Sequence, residues 1–238
     1  MGGRIYRPEA SGVALLELPE IGRLHVGMKS DKGYPMSIDW FRATGKYAAL
    51  FAKALGEKPS TIQIVFPSDD AGKVCNERYE YRDDKGALVA RGDGQVFEVW
   101  DGRGYVPYMV DQYPDIMRQI TAKNPTKRGE DNWDVVLTLR FVVPAVRGVV
   151  GVWQFSTKGK ASSVRNIRES FDAVQRMRGT VTGTVFDLSV QFATSNKPGV
   201  NSRYPVVSLV ANDNRIEEIR EAMSQRENLS LLLQSGEK

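Results

Sequence analysis

The sequence holds one histidine, His25, and one cysteine, Cys75. A single imidazole excludes a multi-histidine metal centre and any reaction that needs two imidazoles. A single thiol excludes a disulfide framework within the chain and a cysteine-based zinc cluster. His25 sits between Leu24 and Val26, and strand alternation turns it away from the core side. Cys75 has neither a nearby histidine nor a CxxC partner, the surroundings that make a thiol reactive. Neither residue reads as catalytic.

Carboxylates come as two adjacent pairs, Asp69-Asp70 and Asp83-Asp84. Sequence neighbours rarely converge on one metal ion, and both pairs fall where turns are expected, so they read as polar loop tips. A two-metal hydrolase draws its carboxylates from separate elements. Asp39, Asp93, Asp101 and Asp111 are the scattered residues from which such a site would be assembled. The glycine runs RGDGQV (91–96) and DGRGY (101–105) lack the G-x-x-x-x-G-K-[ST] spacing and open no helix. They read as tight β-turns rather than phosphate loops.

The basic residues carry the strongest signal. Lys158 and Lys160 lie in STKGKASS, directly before a predicted helix, and a helix N-terminus favours anions. Along that helix Arg165, Arg168 and Arg176 lie opposite the apolar stripe, and Arg178 follows near its end. Asp172 is four residues from both Arg168 and Arg176, which pairs some of this charge internally. Lys158, Lys160, Arg165, Arg168, Arg176 and Arg178 are therefore the candidate contact residues for nucleic-acid phosphate or an acidic protein surface. A solvated helix face is the plainer reading of the same set.

Charge distribution points to the same quarter of the chain. Residues 123–203 hold 13 Lys/Arg against 6 Asp/Glu, whereas residues 1–122 hold 16 against 17 and residues 204–238 hold 4 against 6. The whole chain is +4 over 238 residues, less basic than a protein living by phosphate contacts alone. Trp133, Phe141, Trp153, Phe155, Phe186 and Phe192 alternate along strands, which says core before base-stacking platform.

Elements to position these residues follow from periodicity. Residues 21–27 and 61–66 read as short strands, and 46–55 as a helix stopped by Gly56. Residues 74–82 and 87–91 flank Asp84-Lys85-Gly86, a hairpin signal, and 95–100 and 105–110 continue a meander. A short helix is expected over 114–122. Residues 123–132, KNPTKRGEDN, read as a linker or exposed loop, and 196–203 as another.

Beyond the linker the periods sharpen. Trp133, Val135, Leu137, Leu139, Phe141 and Val143 share one strand face. Residues 149–155 give a second strand. Val164, Ile167, Phe171, Val174 and Met177 make one stripe of a helix over 162–178, with Ser162 or Ser163 as cap and Gly179 as stop. Strands over 184–194 and 204–211 and a last helix over 213–233 complete the chain.

The fold class is α+β: mostly antiparallel sheets with a few packed helices, including a C-terminal β-β-α-β-β unit read as one sheet with a helix on one face. The boundaries read as 1–122, 123–212 and a helix and tail over 213–238, or as one compact unit. No apolar run approaches the roughly 18 residues that cross a bilayer. MGGRIYRPEAS has no apolar signal core, so a cytoplasmic location is expected.

Three stretches resemble the phage recombination directionality factor-like family, accessory proteins of large serine integrases. The first is IGRLHVG followed by GYPMSIDWFRATG, within residues 21–45. The second is LRFVVPAVRGVVGVWQFSTKGKASSVRNI, residues 139–167. The third runs from FDLSVQFAT through YPVVSLVAN, residues 186–212. The resemblance implies a protein that binds its cognate serine integrase, alone or on attachment-site DNA, and switches recombination from integration to prophage excision. It implies no catalytic residue, metal or cofactor. Two other classes stay open: a phage replication or recombination protein binding single-stranded or duplex nucleic acid, and a metal-dependent hydrolase.

Overall fold

The computed structural model describes residues 18–195 and 202–212. Strands β1 (Glu20–Lys29) and β2 (Pro35–Thr44) form the first hairpin, followed by α1 (Ala48–Leu55) and β3 (Thr61–Val65). A four-residue turn of helix, α2 (Ala71–Val74), leads into β4 (Cys75–Arg82), β5 (Leu88–Gly92), β6 (Val96–Trp100), β7 (Tyr105–Met109) and α3 (Ile116–Lys123). Then come β8 (Trp133–Phe141), β9 (Val152–Thr157), α4 (Arg165–Arg178), β10 (Val185–Thr194) and β11 (Arg203–Ala211). The class is α+β with two mostly antiparallel sheets, as the periodicity predicts.

One sheet has eight strands in the order β2-β1-β9-β8-β4-β5-β6-β7, and the other has three in the order β11-β10-β3. Among the described residues only the β1–β9 pair is parallel. Both sheets mix strands from before and after the 123–132 segment. The β-β-α-β-β order is present, but its four strands do not share one sheet. β8 and β9 lie in the large sheet, while β10 and β11 join β3 in the small one. A helix between two hairpins leaves either arrangement open, because sheet partners are chosen by distant segments.

Alternation places Leu24, Leu137, Leu139, Phe141, Trp153 and Phe155 on one face of the large sheet. They form one buried cluster with Ile62, Ile64, Phe186 and Leu188 of the small sheet and with Ile167, Phe171 and Val174 of α4. Aromatic edges lock it: Phe66 meets Phe171 at 5.1 Å and Phe186 at 5.2 Å, and Phe51 of α1 meets Trp153 at 5.1 Å. A smaller cluster under β4 to β7 holds Tyr81, Ala90 and Phe97 against Ile116 and Ile120 of α3.

Several local expectations change. β2 forms a strand over residues that periodicity leaves without an element. The stripe of α4 stops at Val174, because Met177 is 71% exposed. Neither Ser162 nor Ser163 caps the helix; a π-helical turn (Lys160–Val164) precedes it. The buried Ser163 hydroxyl instead accepts the Val207 N–H at 2.9 Å, tying the helix start to β11. Gly179 does stop α4, in the left-handed conformation at φ 73°, which a Cβ would disfavour. The helix over 213–233 lies outside the described residues.

Candidate functional site

Burying one face of the large sheet leaves the opposite side chains of the same strands on a polar face. Strand pairing sets them in rows. Arg140 of β8 and Arg23 of β1 both pair with Gln154 of β9. In the next row Thr138 pairs with Ser156 and Asn76, and the two hydroxyls lie 3.1 Å apart. His25 stands beside this row, its Nε2 3.0 Å from the Thr44 hydroxyl. Further along, Arg78 pairs with Val136 and Lys158 follows Ser156 by two residues. Glu80 pairs with Asp134 on one side and Arg91 on the other. Except for Thr44, Asp134 and Arg91, these residues line a groove of about 840 Å³ together with Lys73 from α2.

The acids of this face are each held by cations. Glu80, 3% exposed, takes Arg78 and Arg82 at 2.7 Å each. Burial pushes its carboxyl up, but the hydrogen bonds and charges of Arg82 and Arg78 win and hold it below the usual carboxylate range. Asp134 takes Lys158 at 2.8 Å and Arg128 at 3.4 Å. Burial again works against ionisation there, and Lys158 and Arg128 overcome it. His25 is held below its ordinary value, first by burial and then by Arg42 and Arg23, so it is neutral at pH 7. Lys73 and Arg140 have no acid partner among the described residues.

The helix residues singled out by sequence are managed differently. Arg165 meets Glu169 at 2.7 Å, and Arg168 meets Asp172 at 3.2 Å. Arg168 also donates to the Cys75 carbonyl at 3.1 Å. Arg176 donates at 3.2 Å to the backbone carbonyl of Asp172 rather than to its carboxylate. Arg178 donates to the Thr184 hydroxyl at 2.8 Å. Lys160 lies in the π-helical turn. Lys158 belongs with the sheet face, apart from Arg165, Arg168 and Arg176 on the helix.

Sequence reasoning missed Arg23, Lys73, Arg78, Arg82 and Arg140. Part of the signal was visible, since Thr138 and Arg140 occupy the polar phase of an alternation whose apolar phase is Leu137, Leu139 and Phe141. Their adjacency to β1 and β4 required the topology.

Other chemical candidates resolve into structure. Cys75 is buried, and burial pushes its thiol up to about 12, which keeps it protonated at neutral pH. Asp69 is more than a loop tip: its Oδ1 accepts from the Thr180 hydroxyl, the Val181 N–H, and the N–H and hydroxyl of Thr182 at 2.7–2.9 Å. Asp70 caps α2 through the Gly72 N–H at 2.9 Å. Asp83, Asp93 and Asp101 accept backbone N–H groups within their own turns. Among the described residues no three His, Cys, Asp or Glu side chains gather as a metal site. No helix among them is long and apolar enough to cross a membrane.

A family model described as Gp3-like, recombination directionality factor-like, matches residues 21–212. The chain belongs to the recombination directionality factor-like family. No curated protein matches it, and no solved structure does. The matched span begins in β1 and ends just past β11, so both sheets and both cationic surfaces lie within what defines the family. Membership gives this directionality factor-like protein a general role in setting the direction of site-specific recombination, and it implies an integrase as partner.

Proposed function

We propose that the protein binds a serine integrase and shifts its attachment-site complexes so that attL and attR recombine while attB and attP do not. The observation that carries this reading is the family match across residues 21–212. The protein acts by binding, without breaking a bond itself. Such a switch is a population shift: the ligand must bind the excision-competent arrangement more tightly than the other. Moving an equilibrium from 1:99 to 99:1 takes roughly 10⁴-fold differential affinity.

The outer face of α4 is the proposed integrase contact, through Arg165, Arg168 and Arg176, with Lys160 before them in sequence and Arg178 at the helix end. Glu169 and Asp172 alternate with these arginines, and such a mixed-sign surface suits a protein partner better than a polyanion. The test is recombination in vitro with the integrase from the same genome, on attL–attR and attB–attP substrates, with and without this protein. Stimulated attL×attR and suppressed attB×attP recombination is the expected result. No effect on either reaction, with an active integrase, would discard the reading.

A further inference from the structure

We propose that the polar face of the eight-stranded sheet is a docking surface for the phosphate backbone of duplex DNA. This goes beyond the integrase partnership and stands without it. The groove on this face is lined by six Lys/Arg residues, Arg23, Lys73, Arg78, Arg82, Arg140 and Lys158, against two acids, Glu20 and Glu80. Lys73 and Arg140 meet no acid among the described residues, so their charge is available to an incoming anion.

The groups between the cations are of the right kind. Asn76, Thr138, Gln154 and Ser156 line the same groove, and amides and hydroxyls join Lys and Arg in contacting phosphate oxygens. The row holding Arg140 and Gln154 lies four residues along β8 from the row holding Val136 and Arg78. At about 3.3 Å per residue the two rows are about 13 Å apart, close to the roughly 12 Å width of the B-DNA major groove that two backbones border.

What the groove lacks also selects the occupant. Among the described residues no Phe, Tyr or Trp lines it, and its one ring is the His25 imidazole, held by the Thr44 hydroxyl. Single strands are held by stacking on aromatic rings, and protein interfaces concentrate their energy in aromatic anchors set in apolar pockets. A cationic face without Phe, Tyr or Trp fits a backbone read without regard to sequence.

The test is fluorescence anisotropy of the full chain with a labelled duplex of about 30 bp and arbitrary sequence, without integrase, from about 50 to 200 mM salt. Counting Asp134, which holds Lys158, the face carries a net of three positive charges, and this predicts a log–log salt slope of about −2 to −3. Changing Lys73→Gln and Arg140→Gln together should cut the slope by about 2 and weaken low-salt binding at least tenfold. Arg165→Gln with Arg176→Gln should leave both unchanged. Should the double variant fail to melt cooperatively, the exposed Lys73→Glu alone carries the test, with about 1 lost from the slope.

Duplex binding that ignores the sheet variants, or no binding by the wild type at the lowest salt, overturns the proposal. Binding of a poly-glutamate peptide, but not of duplex, through Lys73 and Arg140 overturns it in favour of an acidic protein segment. Duplex binding that follows these variants supports it even if the integrase assay fails, so the two readings fall separately.

Discussion

On α4, Arg165 and Arg168 each find an acid one turn along the same helix. On the sheet, the cations around Glu80 and Asp134 outnumber the acids they surround, and Lys73 and Arg140 find none. The difference lies in geometry. A helix returns to the same face every three or four residues, so one segment carries both charge and countercharge. A sheet face is assembled from strands far apart in sequence; the Arg78-Glu80-Arg82 run balances charge within one strand, but no local rule reaches Arg140. The helix arginines are a local arrangement, whereas the cationic sheet face is a product of the fold.

The severest way to break this contrast is to disturb the strand pairing that builds the sheet face. A Cβ at Gly22 would overlap the Trp153 indole and crowd the Thr44 carbonyl. Gly22→Ala should cost about 3 kcal/mol and lower the melting temperature by about 6–12 °C, visible by calorimetry. Duplex binding should weaken with it, because Arg23 and Gln154 flank that contact.

Removing a countercharge sharpens the contrast from the other side. Glu80→Gln leaves Arg78 and Arg82 beside a neutral amide, a loss of about 2 kcal/mol by chemical denaturation. The same change adds one net positive charge to the face, so duplex affinity should rise while stability falls. Asp69, Glu80 and Asp134 are all held below the usual carboxylate range. Folded values below unfolded ones mean their stabilisation is present above about pH 4 and is lost as the pH falls through the folded values. Melting temperature should therefore drop steadily on acidification below about pH 4, and Glu80→Gln should flatten that dependence.

Smaller effects are expected where charge lies nearer solvent. Asp134→Asn releases Lys158 and Arg128; stability should change by less than about 1 kcal/mol, with a measurable gain in duplex affinity. Arg165→Ala removes an exposed i,i+4 pair; the melting temperature should barely move, and duplex binding should stay within about twofold. A loss of duplex binding there as large as the loss at Lys73 would erase the distinction between the two surfaces.

Legibility followed locality. The alternation from Trp133 to Phe141, the stripe from Ile167 to Val174 and the Gly179 stop are set by near neighbours and were readable. β2 was not, because its buried residues Ile38 and Phe41 are three apart, which breaks the period of two. The cause is a bulge: His25 pairs with Arg42, but Gly27 pairs with Ser37. α2 is too short to leave a period. The division of β8–β9 and β10–β11 between two sheets depends on β1, β3 and β4, which supply their partners from much earlier in the chain. The candidate site shared that fate. The helix cations were visible together because they are consecutive turns, while Arg23, Lys73 and Arg140 become neighbours only after folding.

The parallel join of β1 to β9 also sets a timetable for synthesis. Glu20 pairs with Val152, so β1 leaves the ribosome roughly 130 residues before its partner exists, about 7–26 s at ordinary elongation rates. β3 waits similarly for β10, and β4 for β8. During that interval the nascent first half holds strand edges with nothing to pair, the condition under which chains associate wrongly or recruit chaperones. A messenger truncated anywhere before β9 would release a product whose large sheet cannot close, so its yield in the cell should collapse rather than decline in proportion to length.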